Sequence, residues 1–365
     1  MTSRPHIDPA NSIDLAGDVV ALTRALCDIH SVSGAEKEIA DKVEAALGLH
    51  PHLEVLRDGD AVVARTHLGR PFRVLLAGHL DTVPIADNLP TTLTGEGDAE
   101  VVHGRGTVDM KAGCAVFLKL AAELAAPRHD VTYVFYDHEE VASRLNGLGR
   151  LVREHPEWLA ADFAILGEPS NASVEGGCQG TMRVKIRVPG VAAHPARSWR
   201  GVNAIHGAGA VLDVLRAYEP RQPVVDGLQY REGLNAVKIS GGIAGNVIPD
   251  ECLVWVNYRF APDRSGEEAE AHLRELFAGF ELEVTDLAPG ARPGLGHPAA
   301  REFVDTVGGT VTAKLGWTDV ARFAALGVPA VNFGPGDPLL AHTDNEHCPT
   351  PAILQSLATL QKWLG

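Results

Sequence analysis

The residues in this chain that could carry out chemistry are histidines and carboxylates that follow short apolar runs. In chain order they are His79 and Asp81 in VLLAGHLDTV, Asp109 in VVHGRGTVDMKAG, Glu139 and Glu140 in YDHEE, Glu168 in AILGEPS, and His342 in GPGDPLLAHTDNE. Charge held in a low dielectric is costly unless an opposite charge compensates it. The pattern therefore predicts either side chains that face solvent or a strongly positive group at these strand ends.

A metal centre explains the whole set better than solvent does. Any one of these residues could be a solvated loop residue, but five predicted strand ends all carry side chains of metal-ligand type. Two divalent cations lie about 3.5–4 Å apart when a carboxylate bridges them. Histidine and carboxylate without thiolate suit zinc, with cobalt or manganese as substitutes. We therefore expect two zinc ions per chain.

The elements that must position these residues alternate between strands and helices. RVLLAGH, VTYVFYD, ADFAILGEP and GVPAVNFGPGD are typical of strands, and KAGCAVFLKLAAELAA and TPAILQSLATLQKWLG are typical of helices. This alternation predicts an α/β fold with a mostly parallel sheet flanked by helices. Such sheets bind ligands outside the carboxyl ends of their strands. Nearer the start, Ser33 and Glu36 have the spacing of a capping box.

A second domain is predicted inside the first. TMRVKIRVPG alternates apolar and polar residues, as a strand with one solvated face does, and the segment around it contains signals for about four strands and two helices. The Gly/Pro-rich run APGARPGLGHP marks the return to the first domain. We expect residues 1–178 and 293–365 to form the catalytic domain, and residues 179–292 to form an inserted α+β domain.

The composition limits the classes of function. The 365 residues carry a net charge of −15, which argues against a nucleic-acid partner. No apolar run approaches the roughly 20 residues of a membrane span, and the start lacks the apolar core of an export signal. The five cysteines form no CxxC pair, which fits reduced thiols. We therefore expect a cytoplasmic protein with no nucleic-acid or membrane partner.

The motifs GHLDTV, GRGTVDMKAG, DHEE, GEPS and AHTDNEH resemble, in this order, those of the co-catalytic zinc peptidases and deacylases. The resemblance extends over nearly the whole chain. Stretches such as GNVIPDECLVWVNYRFAPDRS look most like the actinobacterial-type members that remove a succinyl group from N-succinyl-LL-2,6-diaminopimelate. The resemblance implies a zinc-peptidase-like catalytic domain with an inserted lid and dimerisation domain.

The same resemblance assigns a role to each candidate. The implied ligands are Asp109 as the bridge between both ions, His79 and Glu168 at one ion, and Glu140 and His342 at the other. Glu139 is implied to be the general base that takes a proton from water and later delivers it to the leaving amine. Asp81 is implied to orient His79 and to raise its basicity, with a turn acceptor as the alternative. His138 is expected to be structural.

In the inserted domain, the resemblance implies that His194 reaches across a dimer interface and polarises the scissile carbonyl. Asn246 resembles a lid residue that also reaches the substrate, and Arg259 resembles a carboxylate-binding arginine. Further candidates for substrate binding are Arg197, Arg322, Thr181 and Thr318. One departure from the pattern is Cys178, which stands where better-known relatives carry an arginine.

The resemblance thus implies a homodimeric, two-zinc amide hydrolase that acts on a small acylated amino acid. Its products would be succinate and LL-2,6-diaminopimelate, in lysine and cell-wall precursor biosynthesis. One rival is a sibling deacylase, such as acetylornithine deacetylase, or a carboxypeptidase. A rival of another class is a metal-binding protein that kept the fold and lost catalysis. No ligand or base of the motifs is missing, which argues against this last alternative.

Overall fold

The structure, a computed structural model, describes residues 13–365. Its α-helices are α1 (Val19–Cys27), α2 (Lys37–Gly48), α3 (Lys111–Glu123), α4 (Gly147–Glu154), α5 (Ala204–Ala217), α6 (Gly266–Leu276), α7 (Pro298–Val307), α8 (Val320–Ala325) and α9 (Thr350–Leu364). Its strands are β1 (Glu54–Asp58), β2 (Ala61–Arg65), β3 (Arg73–His79), β4 (Thr92–Thr94), β5 (Val101–His103), β6 (Asp130–Tyr136), β7 (Phe163–Leu166), β8 (Glu175–Gly176), β9 (Gly180–Pro189), β10 (Val224–Val225), β11 (Leu228–Gln229), β12 (Gly233–Gly241), β13 (Glu251–Phe260), β14 (Glu281–Ala288), β15 (Thr312–Ala313), β16 (Ala330–Asn332) and β17 (His347–Pro349). Within the described residues, no helix is both long and apolar enough to cross a membrane.

The described chain divides into two compact units. The first extends up to Gly176 and resumes at Gly294–Thr312 and Arg322–Gly365. The second consists of Gly177–Pro293 and Ala313–Ala321. The segment Ala313–Ala321 thus lies in the second unit, although the sequence placed it in the catalytic domain. The lid and dimerisation roles of the inserted segment stay predictions.

In the first unit the strands lie in the order β1-β2-β6-β3-β7-β16-β8. The four central strands are parallel, and the outer strands pair antiparallel. Every residue of β6 and β7 is buried, as expected for strands covered on both faces. Helix α3 packs against β3, α1 and α9 and is buried over Lys111–Ala121. The predicted α/β class with helices around a parallel sheet is therefore confirmed.

A small three-stranded sheet, in the order β17-β5-β4, fixes two loops of the first unit beside each other. His347 of β17 is paired with His103 of β5 in an antiparallel register. The loop that follows β5 contains Asp109, and the loop that precedes β17 contains His342. Neither residue directly follows a strand of the main sheet, in contrast to the sequence expectation. A local strand pairing brings them together instead.

The capping box predicted at Ser33 and Glu36 is wrong. Helix α2 begins at Lys37 with Glu36 as its N-cap residue, and no side chain caps it. A capping box is present elsewhere, at the start of α6, where Ser265 and Glu268 exchange both hydrogen bonds. The side chains of Ser33 and Glu36 are used at the candidate site described below.

The second unit contains an antiparallel sheet in the order β12-β13-β9-β14. Residues alternate between buried and exposed along β9, and α5 and α6 pack on this sheet. Met182, Val184 and Ile186 belong to the apolar core beneath the helices. Because successive side chains point to opposite faces, Thr181 and Arg183 lie on the other face. The four predicted strands and two predicted helices of this segment are confirmed.

Candidate metal centre

His79 lies at the carboxyl end of β3 and is 1% exposed. Its Nδ1 atom lies 2.9 Å from the main-chain oxygen of Asp81. Because a carbonyl oxygen can only accept, Nδ1 carries a proton, which leaves Nε2 as the ring nitrogen that can bind a metal. Nε2 faces Asp109, whose Oδ1 atom lies 3.1 Å away. This is the tautomer and orientation that a metal-ligating histidine needs.

Asp109 connects two histidines through its two carboxylate oxygens. Oδ1 faces Nε2 of His79 at 3.1 Å, and Oδ2 faces Nε2 of His342 at 3.2 Å. His342 also lies 3.0 Å from Oε1 of Glu140. A carboxylate whose oxygens address two different nitrogen donors has the arrangement of a bridging ligand.

The potential ligand atoms form overlapping groups in which all atoms lie within 4.8 Å of one another. The groups are His79 with Asp109 and Glu168, Asp109 with Glu140 and His342, and His79 with Glu139 and Glu140. The first two share Asp109. The structure thus brings together all the residues that the resemblance implied as ligands, together with Glu139. Their binding of metal stays a prediction.

The electrostatics of the centre reflect four carboxylates around two imidazoles. Burial acts to lower the pKa of His79, but hydrogen bonds and charges from Asp109 and Asp81 outweigh it and raise that pKa well above its usual value. Hydrogen-bonded Asp109 and Glu140 raise the pKa of His342 to about 10. For Asp109, burial opposes ionisation, yet the two histidines hold its pKa well below the usual range. The centre therefore favours positive charge.

Asp81 acts through both its main chain and its side chain. Its carbonyl oxygen accepts from His79, whereas its Oδ1 atom is 3.5 Å from the same ring nitrogen. The carboxylate instead accepts the backbone N–H groups of Glu139 at 3.0 Å and Glu140 at 3.1 Å, and the hydroxyl of Ser33 at 2.6 Å. These contacts fit the alternative role of a turn acceptor. The carbonyl oxygen of Asp81 orients the His79 ring, and the nearby carboxylate helps to raise the pKa of that ring.

Glu36 supports the same turn and was missed as a site residue. It is fully buried, and its carboxylate accepts the backbone N–H groups of Gly34 at 2.8 Å and His138 at 3.1 Å. Burial raises the pKa of Glu36. The His138 ring lies 2.7 Å from Asp137 Oδ2 and belongs to none of the ligand groups, in line with a structural role. The Ser33–Glu36 spacing was the available signal, but its local interpretation as a helix cap hid its long-range use.

In the second unit, Arg259 and Thr181 are directly opposite each other on β13 and β9. Asn257 connects them, because it accepts from Nε of Arg259 at 3.3 Å and donates to Oγ1 of Thr181 at 3.1 Å. No described carboxylate forms an ion pair with Arg259, and burial lowers its pKa. A half-buried guanidinium with a neutral partner can still bind an anion. Thr318 is buried, and its main-chain oxygen lies 3.6 Å from the Cys178 thiol.

The remaining candidates of the second unit are exposed. His194 precedes the short 3₁₀ segment Pro195–Arg200 and accepts the backbone N–H of Ala196 on Nδ1 at 3.1 Å, which leaves its Nε2–H as a donor. Arg197 lies in that segment, and Asn246 lies in the turn between β12 and β13. Arg322, in the first unit, donates to the hydroxyl of Ser143 at 3.0 Å.

The sequence of this chain is similar to a known protein family and to individual known proteins. The family model described as peptidase family M20/M25/M40 matches residues 75–365. A putative succinyl-diaminopimelate desuccinylase of Mycobacterium tuberculosis is 56% identical over 97% of this chain and 99% of its own length. A succinyl-diaminopimelate desuccinylase of Corynebacterium glutamicum is 49% identical over 97% and 98%.

Solved structures support the fold. A tripeptidase from Staphylococcus aureus superposes with a TM-score of 0.75 at 22% identity, covering 95% of this chain and 96% of its own. A family M20 metallo-carboxypeptidase from Sulfolobus solfataricus gives a TM-score of 0.74 at 14% identity, covering 95% and 98%. At these identities the likeness concerns the fold alone.

Proposed function

The chain belongs to peptidase family M20/M25/M40, and from this membership we propose that it is a metal-dependent amide hydrolase that removes the succinyl group from N-succinyl-LL-2,6-diaminopimelate. The observation that carries the chemistry is Asp109, whose two carboxylate oxygens face two different histidines. The substrate is supported by the two desuccinylases that match almost end to end. The products are succinate and LL-2,6-diaminopimelate, in lysine and cell-wall precursor biosynthesis.

The donor set fits a pair of divalent cations. We propose two zinc ions per chain, one held by His79, Asp109 and Glu168 and the other by Asp109, Glu140 and His342, with cobalt or manganese as substitutes. The fit rests on nitrogen and carboxylate donors, with no cysteine in these groups of described residues, and on the acidic surroundings that raise the pKa values of both histidines. When bound, such cations act as Lewis acids towards water and the amide carbonyl.

Glu139 is the proposed general base and acid. Its backbone N–H is held by Asp81 at 3.0 Å, and its carboxylate shares a 4.8 Å group with His79 and Glu140. A carboxylate so placed can take a proton from the attacking water and return it to the departing amine. Asp81 accepts two consecutive backbone N–H groups and thereby holds the turn that carries both Glu139 and Glu140.

Substrate carboxylates are proposed to bind in the second unit. Arg259, whose described partner is the neutral Asn257, has its charge available for a carboxylate, and Thr181 adds a neighbouring hydroxyl. Asn246, Arg197 and Thr318 remain candidates for the rest of the substrate.

The active protein is proposed to be a homodimer joined through the second unit. Strand β12 is an edge of its sheet, and Val237 and Ile239 on it are 60% and 52% exposed. Helix α5 lies beside this strand and exposes Ile205 and Leu212. An exposed apolar edge strand favours pairing with a second copy. In the dimer, His194 donates through Nε2–H to the substrate carbonyl held by the partner subunit.

We also propose that the protein acts in the cytoplasm. All five cysteines are buried and free, and burial raises the pKa of several of their thiols, including Cys114 to about 12. Unpaired, unreactive thiols are compatible with a reducing compartment.

The decisive experiment compares hydrolysis of succinyl-diaminopimelate with that of acetylornithine and a panel of small acyl-amino acids. Each assay is run on metal-stripped protein and again after zinc is restored. We expect zinc-dependent turnover that strongly favours the succinyl substrate. Zinc-dependent turnover of another substrate would support the proposed metal-dependent hydrolysis and contradict the proposed substrate. If the protein binds two metal ions but hydrolyses none of these substrates, the proposal that it is an enzyme is contradicted.

Donation of His194 across the dimer has a separate test. Inactive His194→Ala and Glu139→Ala chains are mixed and allowed to exchange subunits. A hybrid dimer has one site with an intact Glu139 and an intact His194 from the partner subunit, so we expect activity to return. If no activity returns in verified hybrids, the trans arrangement is wrong.

A further inference from the structure

Arg105 and Glu346 form a buried ion pair that the proposed chemistry does not use. Nη1 of Arg105 lies 2.7 Å from Oε2 of Glu346, and the side chains are only 3% and 1% exposed. Buried ion pairs are weak contributors to net stability because both charges must be desolvated. The location of this pair therefore matters more than its strength.

Glu346 holds the backbone that carries the bridging carboxylate. Its Oε1 atom accepts the N–H of Val108 at 2.9 Å and that of Asp109 at 3.1 Å. Its main-chain oxygen accepts the N–H of Gly104 at 2.9 Å. Because both carboxylate oxygens of Glu346 accept hydrogen bonds, and because it belongs to none of the ligand groups, it acts on Asp109 and not on a cation.

Arg105 forms a hydrogen bond to the loop that carries His342. Its Nη1 donates to the main-chain oxygen of Thr343 at 3.2 Å, directly after His342, and its Nε donates to Pro84 at 3.1 Å. His342 itself has a φ of 63°, a left-handed conformation that is uncommon for a residue with a side chain. Such a conformation persists only where surrounding contacts fix it.

We propose that the Arg105–Glu346 pair is a positioning device for the second cation, because it clamps the Asp109 loop to the His342 loop. This inference rests on the proposed two-metal function. The two cation positions differ in what fixes them. His79 is anchored by the buried strand β3, whereas the His342 side chain is 54% exposed on a loop. The position formed by Asp109, Glu140 and His342 therefore depends on the clamp through both loops, whereas the position formed by His79, Asp109 and Glu168 depends on it only through Asp109 and should be affected far less.

The test is a calorimetric titration of the metal-free full chain with Zn²⁺, in wild type and in Glu346→Gln. We expect the position with His342 to be the weaker site, because this histidine lies exposed on a loop. Its Kd should rise about 10–100-fold, as for other residues that orient ligands, and the Kd of the first site should change less than about threefold. Substitution with Co²⁺ gives an independent signature, since absorption from the second site should change alone. Arg105→Lys, which keeps the charge and loses the forked donors, should act in the same direction.

Asp130→Asn is the matched control. Asp130 is a buried carboxylate that likewise accepts two backbone N–H groups, from Leu68 at 2.7 Å and Arg70 at 2.8 Å, but it begins β6 at the opposite end of the strand from the centre. The Asp130→Asn substitution should leave the Kd of both Zn²⁺ sites unchanged. If Glu346→Gln does not fold by circular dichroism, Arg105→Lys decides the question.

Four results would overturn the inference: unchanged affinities in the variants, equal weakening of both sites, the same selective loss in Asp130→Asn, or a wild type with a single site. The last result would also overturn the proposed pair of metals. A wild type that binds two cations but does not hydrolyse succinyl-diaminopimelate would overturn only the substrate.

Discussion

The two units differ in how their candidate residues are held. In the first unit, His79, Asp109, Glu140 and His342 contact one another, and further buried groups fix the backbone beneath them. In the second unit, Arg259 and Thr181 form one pair on the sheet, whereas His194, Arg197 and Asn246 lie on exposed segments with local contacts.

This difference separates chemistry from recognition. A centre that activates water must have its charges in place before the substrate arrives, because reorganisation during the reaction adds to the barrier. Residues that recognise a flexible, multiply charged substrate can be completed by that substrate or by a second subunit. We therefore expect substitutions at the centre of the first unit to affect kcat, and those in the second unit, with the exception of His194, to affect KM or assembly.

The largest effect on activity is expected at Glu139, and it tests whether the first unit carries the chemistry. We expect Glu139→Gln to lower kcat about 10³-fold, because general acid–base catalysis contributes about 10²–10⁴-fold. The metal content should stay near two per chain, as measured by mass spectrometry of the dialysed protein. The measurement is steady-state hydrolysis of succinyl-diaminopimelate. Loss of metal together with activity would assign Glu139 to the ligands and remove it as the base.

A smaller effect is expected at the edge of the second unit. Ile239→Glu places a charge on the exposed part of β12, which should dissociate the proposed dimer. If His194 acts across the interface, activity should fall about 10²-fold, the cost of losing one donor to the developing oxyanion. Sedimentation velocity and kinetics at matched concentrations check both effects. The control is Val224→Glu on β10, where an even more exposed apolar residue lies outside the proposed interface. A fully active monomer would contradict the shared site.

The sequence predicts the first unit well because its signals are local. Each strand is a short apolar run, and His79, Glu140 and Glu168 follow these runs within a few residues. The supporting contacts are harder to predict, because they join distant segments. Glu346 accepts from Asp109, and Ser33 donates to Asp81, across long stretches of chain. A carboxylate that accepts backbone N–H groups from a distant segment produces no recognisable spacing of residues in the sequence.

The Ser33–Glu36 case shows how a local rule fails. The spacing fits a capping box, yet α2 begins at Lys37 and has no side-chain cap. Asp81 and the His138 backbone offer these side chains partners in the interior, and a satisfied buried carboxylate outweighs a cap worth about 1 kcal/mol.

The third expected effect concerns recognition by the sheet of the second unit. Arg259→Met should lower kcat/KM for succinyl-diaminopimelate about 10–100-fold, mainly through KM, because a charge-assisted hydrogen bond contributes about 1.5–3 kcal/mol. Arg183→Met on the same sheet face is the control, since Arg183 is exposed and lies near Asp286. Steady-state kinetics over a range of substrate concentrations separate the two parameters. A fall in kcat at constant KM would place Arg259 in the chemistry.

The smallest effect is expected at the far end of the first unit, where Asp130 uses the same hydrogen bonding as Asp81 without any part in the centre. Burial opposes its ionisation, but the N–H groups of Leu68 and Arg70 lower its pKa in the folded state. A lowered folded pKa gives stability above the unfolded value of about 3.9, and this stability is lost as the pH falls through the folded value. Asp130→Asn should therefore lower the free energy of unfolding at pH 7 by about 1–2 kcal/mol and flatten its decline in acid. Urea unfolding from pH 7 down to the acid limit of folding measures this, and kcat at pH 7 should not change. A drop in kcat at pH 7 in the Asp130→Asn variant would mean that this end of the sheet is also coupled to the centre.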